Sequence, residues 1–261
     1  MQQFYGDSPH IIDRKRKKRA QKRHTVASFK AGGLLAAFAA ICVIALFAAV
    51  FFTSDSSDTF RIKARTWYYV SFYSPTEIVE AELSAQNIKE TGGAGYIIND
   101  GVFHVAASVY DSQRDAQTVA DKQSKPAAVY KLVMPEIKLE TIKDKDTSER
   151  VKRGFDAYSG VFDDITDVLI QFDRGAATES ALMHAVSNVR SEIIAEREIQ
   201  QSIYNETSSP AVNALCDYLE SAAASLDVAV LSEKNGLSSR IRYALCEIVY
   251  QRYALAAALA S

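Results

Sequence analysis

The stretch Trp67–Val133 alternates between strand-forming and helix-forming sequence, and this order strongly limits the folds open to the chain. It begins with the aromatic and β-branched run WYYVSFY, which is typical of a strand. Further on, Asn99-Asp100-Gly101 predicts a tight hairpin turn. The predicted elements are a strand at residues 67–73, a helix from Pro75 to Gly92, strands at 94–98 and 102–109, a helix at 112–122 and a strand at 127–133. Two strand–helix–strand units in this space predict a βαββαβ domain, with four strands in one sheet and both helices on one face.

The two helices of this stretch carry start signals and apolar positions of their own. Ser74 is a candidate N-cap, Pro75 fits the first helical position and Glu77 could close a capping box. Four apolar residues predict the buried face of the first helix: Ile78, Val79, Leu83 and Ile88. The second helix presents smaller inward residues: Ala116, Val119 and Ala120.

Alternation along the strands assigns side chains to the two faces of the sheet. The residues expected to point at the helices are Val70, Phe72, Phe103, Val105 and Ala107. The opposite face, which the sequence predicts to be open to solvent, is expected to carry Trp67, Tyr69, Ser71, Tyr73, His104, Ala106 and Ser108. A register error of one residue would exchange the two sets.

Three features of residues 66–134 share a pattern: the run Val102-Phe-His-Val-Ala-Ala-Ser-Val-Tyr110, the alanine-spaced helix that follows it, and Tyr69-Val70-Ser71. In these features the stretch resembles the SPOR domain, a bacterial family. The resemblance implies a SPOR/ferredoxin-like sheet that binds peptidoglycan, as septal glycan strands stripped of their stem peptides, across the open face. The chain departs from the family pattern at Ser71, where Gln is usual, and at Ser108-Val109, where a Gly-Pro corner is usual.

The resemblance makes five residues candidate glycan ligands: Trp67, Tyr69, Ser71, Tyr73 and His104. Sugar rings stack their C–H faces on Trp and Tyr, and their hydroxyls pair with polar side chains. The alternative is that Trp67 and Tyr73 pack against the linker or the C-terminal domain. An RNA-recognition motif is disfavoured because the third strand offers Ala106 and Ala107 in place of the required aromatic residues.

Residues 31–52 form an uncharged, proline-free run of 22 residues. As a helix it would be about 33 Å long, enough to span a bilayer. Residues 1–30 carry nine Lys or Arg against two Asp, which predicts a cytoplasmic N-terminus and extracytoplasmic domains in a single-pass protein of the cytoplasmic membrane. A cleaved signal peptide is the alternative, but its apolar core would be shorter. The basic tail suits topology and anionic lipid better than nucleic acid, because no aromatic residue interrupts it.

The C-terminal region, residues 148–261, is predicted to be an all-α bundle of four helices. Residues 53–65 and 135–147 are predicted linkers. The first helix carries a seam of apolar residues at alternating spacings of four and three, which could also serve dimerisation: Val151, Phe155, Tyr158, Phe162, Ile165, Leu169 and Phe172. The remaining helices are expected near 178–205, from Ser209-Pro210 to Asn235, and at 238–260.

The sequence offers little that points to chemistry. Glu-x-x-His pairs, a Gly-x-Ser-x-Gly motif and a Gly-rich phosphate loop are all missing from it. We therefore expect no enzyme activity, no metal and no cofactor, and buried free thiols at Cys216 and Cys246. The expected function is peptidoglycan binding in cell division or sporulation, with the helical domain docking a protein partner or self-associating. The alternative is a membrane-anchored scaffold that binds proteins rather than glycan.

Overall fold

The computed structural model describes residues 59–73, 75–123, 125–227 and 236–261, with the side chains of residues 73 and 158–161 outside that description. The predicted tail at 1–30, the predicted span at 31–52 and the first residues of the 53–65 segment lie outside the described residues. All described residues belong to one compact unit, Asp55–Ser261. Within it, the protein is a mixed α+β structure.

The main sheet has four strands in the spatial order β3-β4-β2-β5, and every neighbouring pair is antiparallel. Its strands are β2 (Arg65–Tyr73), β3 (Tyr96–Asn99), β4 (Phe103–Tyr110) and β5 (Ala128–Met134). Helix α1 (Ile78–Glu90) follows β2, and helix α2 (Gln113–Asp121) follows β4. The predicted βαββαβ order, including the hairpin at Asn99–Gly101, is therefore confirmed.

Helices α1 and α2 cover one face of this sheet, which we call the outer face. The side chains of Val70, Phe72, Phe103, Val105 and Ala107 lie on it, as predicted. The predicted apolar side of α1 is confirmed only at Ile88, because Ile78, Val79 and Leu83 are 44%, 63% and 60% exposed. Beside Ile88, the helix buries Ala81 and Ala85.

The backbone of α1 lies close to the segment that leads into β3. A Cβ atom added at Gly95 would lie 2.3 Å from the carbonyl oxygen of Ala85. Any side chain at position 95 would therefore push this segment away from the helix. The predicted start of the helix is wrong as well, since α1 begins at Ile78 with Glu77 as an N-cap whose side chain makes no capping bond.

A β-bulge in β4 corrects the predicted position of Ser108. Val70 pairs with Ser108, but the next residue, Ser71, pairs with Ala106, so Ala107 is an extra residue in the ladder. An extra residue reverses the alternation beyond it. Ser108 consequently shares the outer face with Val70, and Val109 joins Ala106 on the opposite face.

Both segments predicted to be linkers contain a strand. Strand β1 (Thr59–Ile62) pairs antiparallel with β6 (Ile137–Glu140) in a separate two-stranded sheet. Ile62 and Ile137 face each other in this pair and are both buried in the main core. Each strand has only four residues, too few for a clear alternation pattern in the sequence.

The described C-terminal residues form five helices where four were predicted. They are α3 (Lys145–Asp156), α4 (Tyr158–Asp173), α5 (Glu179–Thr207), α6 (Pro210–Ser225) and α7 (Leu237–Ala260). The predicted first helix is divided at Ala157, whose backbone stays close to helical angles. The seam therefore continues from α3 into α4. Five of its members are buried: Val151, Phe155, Phe162, Ile165 and Leu169.

The second face of the main sheet, which we call the inner face, is covered by the helical layer. Helix α7 contacts β3, β4 and β5, and Phe162 of α4 packs on β2. Inner-face residues such as Trp67, Tyr69 and Leu132 belong to the same hydrophobic cluster as the buried residues of α3 to α7. The expectation that this face is open to solvent is wrong.

Candidate functional site

The indole of Trp67 lies at the centre of the contact between the sheet and the helices. Its side chain is 1% exposed. The ring of Phe162 meets it edge to face, with 4.7 Å between ring centroids. The guanidinium of Arg65 lies 4.5 Å from its centroid. Both contacts use surfaces that a sugar would need, and the alternative in which Trp67 packs against the C-terminal domain is confirmed.

Tyr69 is the second buried aromatic residue of the inner face. It is 0% exposed, and its hydroxyl donates a hydrogen bond of 3.0 Å to the backbone carbonyl of Cys246 in α7. Cys216 and Cys246 are both free and buried, as expected from the sequence. Burial raises the pKa of the Cys246 thiol, so the neutral form is favoured.

Ser71 and Tyr73 complete the predicted set on β2. Ser71 is buried between Ala106 of β4 and Ala128 of β5. Strand β2 ends at Tyr73, whose side chain lies outside the described residues. The structure therefore brings Trp67, Tyr69 and Ser71 onto one face, and it covers all three.

His104 sits at the rim of the inner face and keeps 18% of its side chain exposed. Its ring stacks on that of Tyr130, with 4.3 Å between centroids, and its Nε2 lies 3.2 Å from Asp100 Oδ1. The Tyr130 hydroxyl donates to Asp100 Oδ2 at 2.9 Å. The β3–β4 turn is thereby tied to β5. We call these three residues the rim cluster.

The electrostatics of the rim cluster favour a charged carboxylate beside a neutral phenol. The hydrogen bond from Tyr130 lowers the pKa of Asp100. Burial, followed by the bond to Asp100, raises the pKa of Tyr130 to about 12. A phenol held protonated and already donating its proton is a structural link rather than a nucleophile.

Four tyrosines that the sequence analysis did not single out join β3 to α7. Tyr96 of β3 packs against Tyr243 and Tyr250, at centroid distances of 5.2 and 6.0 Å, and Tyr253 lies 5.9 Å from Tyr250. Tyr243 and Tyr250 are seven residues apart, a spacing that places them on one side of a helix. This seven-residue spacing is the sequence signal that could have identified the tyrosines of α7.

The start of α7 also holds the loop between α1 and β3. Ser239 Oγ donates to the Gly93 carbonyl at 2.6 Å, and Arg242 Nη1 donates to the Gly92 carbonyl at 2.6 Å. Arg242 also forms an ion pair with Asp173 at the end of α4. These polar contacts fix α7 across the sheet, so the cover over the inner face is tied at several points.

A basic cavity, also missed from the sequence, opens where the small sheet meets α3 and α7. It has a volume of about 40 Å³ and is lined in part by Lys63, Arg65, Asp156 and Arg252. Arg252 was detectable, because it lies four residues after Ile248 and three before Leu255 on the buried side of α7. A charge at such a position is unusual and points to a specific role.

The described residues show neither a metal site nor a membrane-spanning helix. Within the described ranges, no group of three or more His, Cys, Asp or Glu side chains is placed to hold a metal ion. In the same ranges, no helix has both the length and the apolar character needed to cross a bilayer. No protein-family model, curated protein or solved structure matches the chain.

Proposed function

We propose that this protein is a non-enzymatic, membrane-anchored scaffold that binds other proteins, built on a SPOR-like sheet whose sugar-binding face has become a packing platform. The observation that carries the proposal is the burial of Trp67 and Tyr69 beneath α4 and α7. These are the aromatic residues on which the resemblance would place the glycan.

An energetic argument supports a permanently covered face. Glycan binding across it would require the helices to leave, exposing at least Trp67, Tyr69, Leu132 and Met134. At about 1.5–3 kcal/mol per large side chain, the sheet alone would lose about 6–12 kcal/mol. A ligand must supply more than this difference to shift the equilibrium towards the open form. Micromolar binding supplies about 8 kcal/mol in total, which is comparable to the cost of uncovering the face.

The N-terminal sequence supports the location of the scaffold. We take the apolar run at 31–52 as its anchor and the basic residues before it as the cytoplasmic side, which puts residues 53–261 outside the cytoplasmic membrane. There the solvent-exposed surface of the compact unit would meet protein partners in the cell envelope. The exposed apolar residues of α1 belong to that surface.

Binding of denuded peptidoglycan strands in division or sporulation is the second candidate function. The partial exposure of His104 favours it, since the rim cluster leaves one aromatic and polar edge of the face in contact with solvent. A sugar bound there would meet His104 and Tyr130 rather than Trp67.

Co-sedimentation separates the two candidates. The full chain, solubilised in detergent, is mixed with amidase-treated or intact sacculi, alongside His104→Ala and a surface control, Gln117→Ala. The scaffold account predicts no preference for treated sacculi in any of the three proteins, and discrete protein adducts when native membranes are treated with a lysine-reactive cross-linker. Saturable, preferential binding to treated sacculi that His104→Ala abolishes and Gln117→Ala retains would overturn it.

A further inference from the structure

The basic cavity contains a buried arginine that packing alone does not satisfy. Arg252 is 8% exposed. Its Nη2 donates to the Phe155 carbonyl at 3.0 Å, and its guanidinium lies 4.8 Å from the centre of the Phe155 ring. Its Nη1 is buried without a hydrogen-bond partner among the residues that the structure describes. A buried charged donor with an unused N–H is costly, which calls for an acceptor.

The cavity beside this arginine has the charge and the space to hold an anionic acceptor. Lys63 lines it from the connection between β1 and β2, Arg65 from the first position of β2, and Arg252 from α7. Asp156 is the acidic residue of the lining, so the formal charge of these four side chains is +2. Lys63 is exposed and Arg65 is half-buried, so the basic groups run from the surface to the buried end.

Other contacts of Arg65 use only part of the hydrogen-bonding capacity of its guanidinium group. Its Nη2 lies 3.8 Å from Asp111, a long contact with two side chains that are each at least one-third exposed. Such a pair contributes little and leaves other N–H groups available. Arg65 can therefore contact a ligand while its guanidinium remains over Trp67.

We propose that this cavity binds a single phosphate group, either free phosphate or the headgroup of an anionic phospholipid. Guanidinium groups pair with phosphate oxygens through charge-assisted hydrogen bonds, and a tetrahedral group accepts them from several directions at once. Here the two guanidinium groups come from different elements, Arg65 from the start of β2 and Arg252 from α7. A volume of about 40 Å³ accommodates a few waters or one such group.

The lipid source rests on the proposed membrane anchor, whereas the phosphate chemistry does not. Ten residues separate Phe52, the end of the predicted span, from Lys63. Fully extended, they reach at most about 35 Å. The cavity would then lie within reach of the headgroups of the outer leaflet.

The test is thermal unfolding of the full chain in nanodiscs, followed by circular dichroism. Inorganic phosphate is titrated into phosphatidylcholine discs at constant ionic strength, with chloride as the reference anion. Wild type is compared with Lys63→Gln/Arg65→Gln, which leaves the buried Arg252 contacts in place. The matched control is Arg61→Gln/Lys138→Gln, two exposed basic residues nearby that pair with Glu136 and do not line the cavity.

For a phosphate site, the midpoint of wild type and of the control should rise saturably, by about 5–10 °C at a hundredfold excess over the dissociation constant. The cavity variant should lose most of this shift. If the lipid is the source, discs of phosphatidylglycerol raise the midpoint without added phosphate, again in wild type and control only. No shift with either probe, or an equal loss in the cavity and control variants, would overturn the proposal.

Discussion

Both faces of the main sheet are covered. The covers differ in the kind of side chain they supply and in how far along the chain they lie from the strands. The outer face meets α1 and α2 through two small clusters in which alanine predominates. The inner face belongs to one large cluster that extends through all five C-terminal helices and includes Trp67, Tyr69 and Phe162. Since buried apolar area sets the gain on folding, most of the stability of the sheet should come from its inner face.

The origin of each cover also differs. Helices α1 and α2 are joined directly to the strands they protect, so a strand–helix–strand pattern is enough to predict them. The inner face is protected by residues far along the chain, as the bond from Tyr69 to Cys246 shows. A face open in an isolated βαββαβ unit can thus be closed by a later segment, and four predictions measure that difference.

Truncation of Trp67 is expected to have the largest effect. Trp67→Ala removes a buried ring and its contact with Phe162, so it should cost about 3–5 kcal/mol of unfolding free energy. Urea unfolding followed by far-UV circular dichroism measures this. Val79→Ala on exposed α1 is the control and should stay within about 0.5 kcal/mol. A cost for Trp67→Ala as small as the control's would mean that the inner face is open.

The outer face should respond to added volume rather than to truncation. Ala116 is fully buried where α2 meets Val70, so Ala116→Leu would force the helix from the sheet, at about 1–3 kcal/mol. Gln117→Leu introduces the same leucine side chain at the exposed neighbouring position, where it causes no clash. Equal stability of the two variants in urea unfolding would show that α2 packs loosely on the sheet.

The tie between the inner face and α7 should make a smaller contribution. Tyr69→Phe keeps the ring but removes the hydrogen bond to the Cys246 carbonyl, and it should cost about 0.5–1.5 kcal/mol. Tyr68→Phe, one residue earlier and directed at the outer face, serves as the matched change. A Tyr69→Phe variant no less stable than Tyr68→Phe would argue against a fixed α7.

The rim cluster should give the smallest effect, and one that depends on pH. The pKa of Tyr130 rises from 10.0 to about 12 in the folded protein. Its contribution is therefore complete below pH 10 and is lost as the pH rises towards 12. The stability difference between wild type and Tyr130→Phe, measured by urea unfolding, should shrink across that window. A difference that stays constant from pH 9 to 12 would contradict the hydrogen bond to Asp100.

Much of the secondary structure follows from the sequence, because local signals determine it. The aromatic run of β2, the Asn99–Gly101 turn and the start of α6 at Ser209-Pro210 are found where the sequence predicts them. Ser112 and Thr178 also cap their helices through their side chains.

The errors arise where a distant contact decides the structure. Hydrophobicity alone predicts Val79 and Leu83 on the buried side of α1, whereas the helix packs Ala81 and Ala85 against the sheet. A bulge in β4 reversed the predicted orientation of Ser108. The candidate ligands Trp67 and Tyr69 were placed on the right face, but their cover begins more than ninety residues away along the chain. No local pattern encodes that contact.

The central claim is that the inner face is covered in the working protein, and Trp67 reports on it directly because it is the single Trp of the chain. The measurement is acrylamide quenching of its fluorescence in the full chain, with and without denuded glycan strands. The account predicts blue-shifted emission, weak quenching and no change when glycan is added. Red-shifted emission with quenching close to that of the urea-unfolded chain, or a saturable change on adding glycan, would contradict it.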